Sequence, residues 1–273
     1  NKVFEKGKNK SLSYAEGPIG FSNMDKVGAM TMGYDRLGTM ITWYNFPYYI
    51  SHFEKFGFTT EKEFIESEFS FDNVQNTETF YRADKIIRQK YGLKALNFGS
   101  SKEIEPQVNS MFDLFNESYF SLASFVSITE RQKEYFKKKY ISLINPEYIK
   151  FVVDKDNRLV AFSVVMTSYS KALQKAKGKL FPFGFIHFLR AKKKNDTVLF
   201  YLIGIRPEYQ NKGVTAIIFK EYYETFKKNG IRNCILTPIL ADNFALQNLW
   251  KNFNPEVIMR RKTFKLETDK WEF

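Results

Sequence analysis

The run from Thr197 to Tyr223 constrains this chain more than any other. Thr197-Val198-Leu199-Phe200-Tyr201-Leu202-Ile203 has the β-branched and aromatic content of a buried strand, and Ala216 to Tyr223 carries apolar residues at helical spacing. Between them lies the loop Ile205-Arg206-Pro207-Glu208-Tyr209-Gln210-Asn211-Lys212-Gly213-Val214-Thr215. A strand, a Gly-containing loop and a helix joined without a break call for an α/β fold. They also present successive backbone N–H groups, here Asn211 to Thr215, at a helix N-terminus, where the helix dipole favours an anion such as phosphate. Gly213 lets backbone approach that anion closely, Asn211 is the non-Gly type that best tolerates positive φ, and Lys212 can add a point charge.

The elements around this unit read in a clear order. Glu103 to Phe120 has helical spacing (Ile104, Val108, Met111, Phe112, Phe115, Tyr119), and a second helix starts at Thr129-Glu130 and runs through Tyr140 to Ile144. A hairpin follows, Tyr148 to Val153 and Arg158 to Met166 about a turn at Asp154 to Asn157. Ser168 to Lys177 and Phe185 to Lys193 look helical, broken at Gly178 and at Phe181-Pro182-Phe183-Gly184. The helix after the loop should stop at Asn229-Gly230, before a strand Ile231 to Thr237, a helix Asn243 to Phe253 and a last strand Val257 to Leu266. Upstream, residues 1–10 close a helix, Leu12 to Ala15 is a strand, Tyr48 to Lys55 a helix, and Glu63 to Phe71 a strand. A helix Asn76 to Tyr91 and a strand Leu93 to Phe98 then lead into the second half.

Helix, strand, loop, helix and strand thus recur, and the halves read as repeats, with boundaries at 1–92 and 93–273. Residue 1 is Asn, so the first copy is read as beginning inside its long helix, its own opening strands and phosphate loop outside the chain.

The chain's 273 residues, 44% hydrophobic, suffice for two ordinary cores. A single Cys, Cys234, excludes an internal disulfide. No apolar run approaches the roughly 18 to 20 residues of a membrane span, and the first residues are not a signal peptide, so the chain reads as cytoplasmic. The net charge of +12 favours polyanionic partners, whether nucleic acid, anionic lipid or a nucleotide-bearing cofactor, without choosing among them. The lysine clusters at 137–139, 175–179 and 192–194 read as solvated faces. No Ser-His-Asp or metal-ligand spacing appears, and His52 and His187 sit among apolar neighbours.

I-R-P-E-Y-Q-N-K-G-V-T resembles the acyl-CoA-binding signature of the GNAT acyltransferase superfamily, and the element order of 93–273 resembles that fold. F-E-K-F-G-F at 53–58 stands where the superfamily often has Tyr-Glu-Lys-Leu-Gly-Phe. The whole chain looks like the tandem bacterial members. The resemblance implies a mixed, mostly antiparallel sheet flanked by helices, in a complete C-terminal copy and a partial N-terminal one. It implies acetyl-CoA or another acyl-CoA as cofactor, held by Ile203, Gly204, Ile205, Gln210, Asn211, Lys212, Gly213, Val214, Thr215 and Asn243. Two departures stand out: Asn211 where Gly is common, and Thr215 where Gly or Ala is usual, its side chain either crowding or bonding the pyrophosphate.

Acyl transfer to an amine also needs donors for the carbonyl oxygen, which N–H groups near Leu202 to Ile205 could supply, and a proton for the thiolate. In the superfamily a Tyr seven residues beyond an Asn often gives that proton. Counted from Asn243, that position is Trp250, and the corresponding residue of the first half is Phe53, so no catalytic residue is assigned. The Gly-rich loop from Glu16 to Gly38 is too long for a mere connection and is read either as the acceptor side, with Asp25 or Asp35 meeting a cationic amine and Tyr201 facing the cofactor, or as structural packing. The leading reading is an acyl-CoA-dependent N-acyltransferase acting on a small amine or amino-acid-like acceptor. The alternatives are a catalytically silent acyl-CoA sensor or scaffold, and an aminoacyl-tRNA-dependent transferase.

Overall fold

The computed structural model describes residues 2–22, 24–74, 77–122, 125–140 and 144–270. In chain order these form α1 (Lys2–Asn9), β1 (Tyr14–Gly17), β2 (Ala29–Met32), α2 (Tyr48–Lys55), β3 (Thr59–Ser70), α3 (Thr77–Tyr91), β4 (Lys94–Leu96), α4 (Ser101–Ile104), α5 (Val108–Tyr119), α6 (Glu130–Tyr140), β5 (Ile149–Val153) and β6 (Leu159–Thr167). Then come α7 (Ser170–Lys175), α8 (Gly184–Lys193), β7 (Thr197–Ile205), α9 (Thr215–Asn229), β8 (Asn233–Leu240), α10 (Phe244–Trp250) and β9 (Glu256–Glu267). Asn23 of the Gly-rich loop, Asn76 ahead of α3, and 141–143 beyond α6 lie outside the described residues.

Two elements differ from expectation. The helix expected over Glu103 to Phe120 is divided: α4 ends at Ile104, Glu105–Gln107 forms a 3₁₀ turn and α5 begins at Val108, because Pro106 has no N–H to continue an α-helical ladder. The Gly-rich loop contains a strand, β2, whose sequence Ala-Met-Thr-Met has little β-propensity; pairing with β9 imposes the conformation. Among the described residues no helix is long and apolar enough to cross a membrane.

The chain divides into two compact units. The first comprises 1–68, 237–248 and 256–273. Its organiser is β9, antiparallel to β1 (Tyr14 opposite Glu267), to β2 (Ala29 opposite Lys262) and to β3 (Thr59 opposite Lys265 through to Glu68 opposite Glu256). Between β3 and β9 the Glu66 and Arg261 side chains meet at 2.5 Å, each 1% exposed, and Glu66 Oε2 and Arg261 Nη1 find no other partner. Burial pushes the Glu66 carboxyl above its usual range against the pull of the Arg261 charge. Glu16 on β1 accepts from Lys62 Nζ at 2.8 Å and from Thr263 Oγ1 at 3.0 Å.

The second unit comprises 69–236 and 249–255. Strands β4, β5, β6 and β7 run antiparallel in that order, and β7 pairs parallel with β8 from Thr197 opposite Asn233 to Phe200 opposite Leu236. Every residue of β5 and β6 is buried because helices lie on both faces: α5 packs on β6 and β7, while α9 packs on β4 and β5 with α3 against it. Val152, Val198, Phe200, Ile217, Ile218 and Trp250 lie in one apolar cluster, each contributing about 1.5–3 kcal/mol by leaving water.

One charge crosses this interior. Lys150 of β5, 2% exposed, donates from Nζ to Asn97 Oδ1 at 2.6 Å and Thr225 Oγ1 at 2.8 Å, and Asn97 Nδ2 donates to Glu221 Oε2 at 2.7 Å. Arg88 bridges Asp84 and Glu221 at 2.6 and 2.8 Å. Burial lowers Lys150 to about 8, opposed by the Glu221, Glu147 and Glu224 charges. Burial would raise Glu221, yet the Asn97 hydrogen bond and the charges of Lys220, Arg88 and Lys150 hold it below the usual carboxyl range.

Candidate functional site

The ladder of β7 with β8 covers only Thr197 to Phe200, while β7 continues to Ile205. A register shift against β6, between Val164 and Val165, leaves Tyr201 as the extra residue of β7. Beyond it Leu202 and Gly204 are buried, whereas Tyr201, Ile203 and Ile205 are half-buried. Gly204 is fixed by packing, since a Cβ there would lie 2.3 Å from Phe162 Cε1 and 2.8 Å from Ser118 Oγ.

Two hydroxyls clamp the strand's backbone here. Ser163 Oγ donates to the Leu202 carbonyl at 3.0 Å, and Tyr119 Oη donates to the Ile203 carbonyl at 3.0 Å. Burial pushes the Tyr119 phenol up to about 12, against the pull of its hydrogen bond to Ile203. Because each peptide is planar, fixing these carbonyls fixes the N–H groups of Ile203 and Gly204 as well. Tyr119 was legible only as one more apolar position of a helix; nothing in that spacing shows where its hydroxyl reaches.

The loop after β7 is tied down through its first half. Arg206 donates from its backbone to Val160 at 2.9 Å, from Nε to Leu159 at 2.9 Å and from Nη1 to Glu117 at 2.5 Å. Glu208 pairs with Arg158 at 3.1 Å. Gln210 Nε2 donates back to the Ile205 carbonyl at 3.2 Å.

The second half of the loop is different. Asn211 takes φ 58° and Gly213 φ 76°, the left-handed region that Asn tolerates and Gly allows freely. Lys212 N–H closes a turn on Tyr209 at 3.3 Å, but the N–H groups of Asn211, Gly213, Val214 and Thr215 donate to no acceptor among the described residues. Val214, the residue before α9, supplies no side-chain cap. Four N–H groups at the start of a 15-residue helix therefore remain available to an anion, with Gln210 to Gly213 exposed. The Lys212 ammonium lies 5.4 Å from the Tyr209 ring and 5.5 Å from the Tyr91 ring, a cation–π placement.

The remaining candidates do not join this cluster in one unit. Asn243 belongs to the first unit and caps α10, its Oδ1 accepting from Leu246 N at 3.1 Å. Asp25, also there, accepts from Ser22 N at 2.9 Å and Ser22 Oγ at 3.2 Å and so holds its own loop, while Asp35 is exposed. Trp250 is 3% exposed, 4.5 Å from the Phe200 ring and 5.1 Å from the Phe219 ring; Phe53 stacks on Phe264 at 4.5 Å. Cys234 is buried, and His52, exposed, meets the Tyr48 ring edge-on at 5.6 Å. The described residues contain no cluster of metal-ligating side chains.

Comparison with known proteins agrees with this geometry. A GCN5-related N-acetyltransferase from Sphaerobacter thermophilus superposes with a TM-score of 0.50 at 13% identity, over 81% of this chain and 56% of that one. A tandem GNAT protein from the clavulanic acid biosynthesis pathway superposes with a TM-score of 0.51 at 8% identity, over 98% of this chain and 68% of that one. These are likenesses of fold, and the chain spans about half of the first protein's length and about two thirds of the second's. No curated protein sequence matches the chain. The model of the acetyltransferase (GNAT) family matches residues 108–254, from α5 through β7, the loop and α9 to the end of α10. With more than half of its 273 residues so matched, the chain belongs to the acetyltransferase (GNAT) family.

Proposed function

We propose that the chain binds an acyl-CoA, its pyrophosphate received by the N–H groups of Asn211, Gly213, Val214 and Thr215, and transfers the acyl group directly to an amine. The observation that carries this reading is that these four donors have no acceptor among the described residues where α9 starts uncapped. A pyrophosphate matches that need in charge and in number of acceptor oxygens. The N–H of Ile203 shares a peptide with the Leu202 carbonyl that Ser163 Oγ holds, and it would face the growing charge on the thioester oxygen; the Gly204 N–H points instead to β6, opposite Phe162. In this reading 93–273 is the cofactor-binding copy.

A second reading has an observation of its own. Trp250 packs inside the apolar cluster at the position where the superfamily often carries its acid, which favours a member that binds acyl-CoA without turning it over. Calorimetric titration with acetyl-CoA and longer acyl-CoAs, followed by thiol release with a panel of amines, separates the two. Binding with release supports transfer, binding without release supports the sensor, and no binding overturns both. Gly213→Ala, strained at φ 76° and 3.2 Å from Ile87 Cδ1, should weaken binding at least about tenfold if the nest carries it.

A further inference from the structure

Residues 168–195 hold seven lysines and Arg190, and no Asp or Glu. They form the hairpin of α7 and α8 between β6 and β7. Its inner side is fixed: Tyr169, 4% exposed, stacks on Phe188 at 5.4 Å, and Ala172 and Gly184 are buried. Gly184 sits so close to the preceding turn that a Cβ would fall 1.8 Å from the Lys179 carbonyl oxygen, so only Gly fits and the crossing is rigid.

The outer side is apolar and bare. Phe181 is 79% exposed and Phe183 71%, and Leu180, Phe185 and Leu189 are exposed beside them. Phe185 and Leu189 are four apart on α8, so they extend the patch along one helical face. Exposed Lys175, Lys179, Arg190, Lys193 and Lys194 accompany it. Rings held out into water within a basic, acid-free segment match an anionic bilayer surface, where the apolar side chains enter the acyl boundary and the cations meet lipid phosphates.

We infer that the α7–α8 hairpin docks the protein on an anionic membrane surface through Leu180, Phe181, Phe183, Phe185 and Leu189, with its basic residues against the headgroups. The complementarity is twofold, apolar and electrostatic. Either signal alone gives only marginal, reversible attachment, and both together are needed for stable attachment. The hairpin is separate from the anion-binding loop, so this inference does not depend on acyl transfer.

The test is flotation of the full chain with vesicles of phosphatidylcholine, with and without about one third phosphatidylglycerol, across a salt series. The expected result is binding to anionic vesicles only, weakened by salt. Lys179→Gln/Lys193→Gln/Lys194→Gln should lower partitioning on the order of 100-fold, at about fivefold per basic residue. Phe181→Ser/Phe183→Ser, exposed positions that leave the inner face intact, should abolish flotation while circular dichroism stays unchanged. No binding to anionic vesicles overturns the inference. Binding insensitive to the Phe pair overturns it too, as does tighter, equally Phe-independent binding to tRNA, which would mark the segment as a nucleic-acid surface.

Discussion

Replacing Lys150 by Met deletes a charge from inside the second unit, and the consequence depends on pH in a way that other substitutions do not. Burial lowers this ammonium from 10.5 to about 8. A lowered folded-state value means that, between about pH 8 and 10.5, the unfolded chain holds a proton that the folded chain has released. Stability associated with this group is therefore fully present above the unfolded value and is lost as pH falls through the folded one. Below about pH 8 the whole cost applies, roughly 3 kcal/mol at 1.36 kcal/mol per pH unit. Met removes that cost but leaves Asn97 Oδ1 and the Thr225 hydroxyl without the donor they meet at 2.6 and 2.8 Å, a loss of about 1 kcal/mol each. At neutral pH Lys150→Met should thus be as stable as the native chain or about 1 kcal/mol more stable. From about pH 7 to 9.5 the native chain should gain about 2 kcal/mol relative to the variant. Urea unfolding followed by tryptophan fluorescence across that range measures the difference directly. Parallel curves, or a native chain that loses ground as pH rises, would refute the assignment of a desolvated ammonium.

Trp250→Ala should cost about 3–5 kcal/mol as a large core truncation, read as a lower urea midpoint. Trp250→Tyr restores the phenol but leaves its hydroxyl in an apolar cluster, so a loss of about 1–3 kcal/mol without faster thiol release is expected; faster release would put position 250 on the reaction path. Gly204→Ala forces a methyl against the Phe162 ring and should lower stability by about 1–3 kcal/mol; an unchanged melting temperature would show that the ring moves freely. Glu66→Gln and Arg261→Met should each destabilise by about 3–5 kcal/mol, since each strands a buried partner, and the double substitution should cost much less than their sum; additive losses would mean that the pair is not coupled.

The strand, loop and helix from Thr197 to Asn229 were legible because each uses a local signal: β-branched content, a Gly in the left-handed region, a helix stopped at Gly230 with φ 67°. The α2 helix from Tyr48 to Lys55 was legible for the same reason. What stayed hidden depends on partners distant in sequence. β2 is a strand because β9 pairs with it, and Lys150 sits unmarked inside Ile-Lys-Phe-Val-Val because its acceptors, Asn97 and Thr225, come from other elements. The four donors of the loop were anticipated as a set, but the turn that occupies Lys212 N–H with Tyr209 was not. The place of the Lys212 ammonium near two rings was hidden too, because Tyr91 is brought there by α3.

Holding a thioester and handling the protons of its aminolysis are separable tasks, and the described residues address them unequally. The loop offers donors for phosphate, and the clamped Leu202 carbonyl fixes one further N–H, that of Ile203, on the side of β7 away from β6. Neither feature supplies a proton. The Trp250 indole N–H is far too weak an acid, and the Tyr119 proton is committed to the Ile203 carbonyl on a phenol that burial raises to about 12, which makes it a weak acid toward a departing thiolate. A thiol ionises near about 8.5, so the thiolate can leave near neutral pH without an acid, at the loss of the roughly 10²–10⁴-fold that such an acid contributes. Preorganised N–H donors with no acid would therefore slow transfer rather than forbid it. Under both proposed readings cofactor affinity would rest on the loop from Asn211 to Thr215, which is why thiol release, and not binding, decides between the enzyme and the sensor.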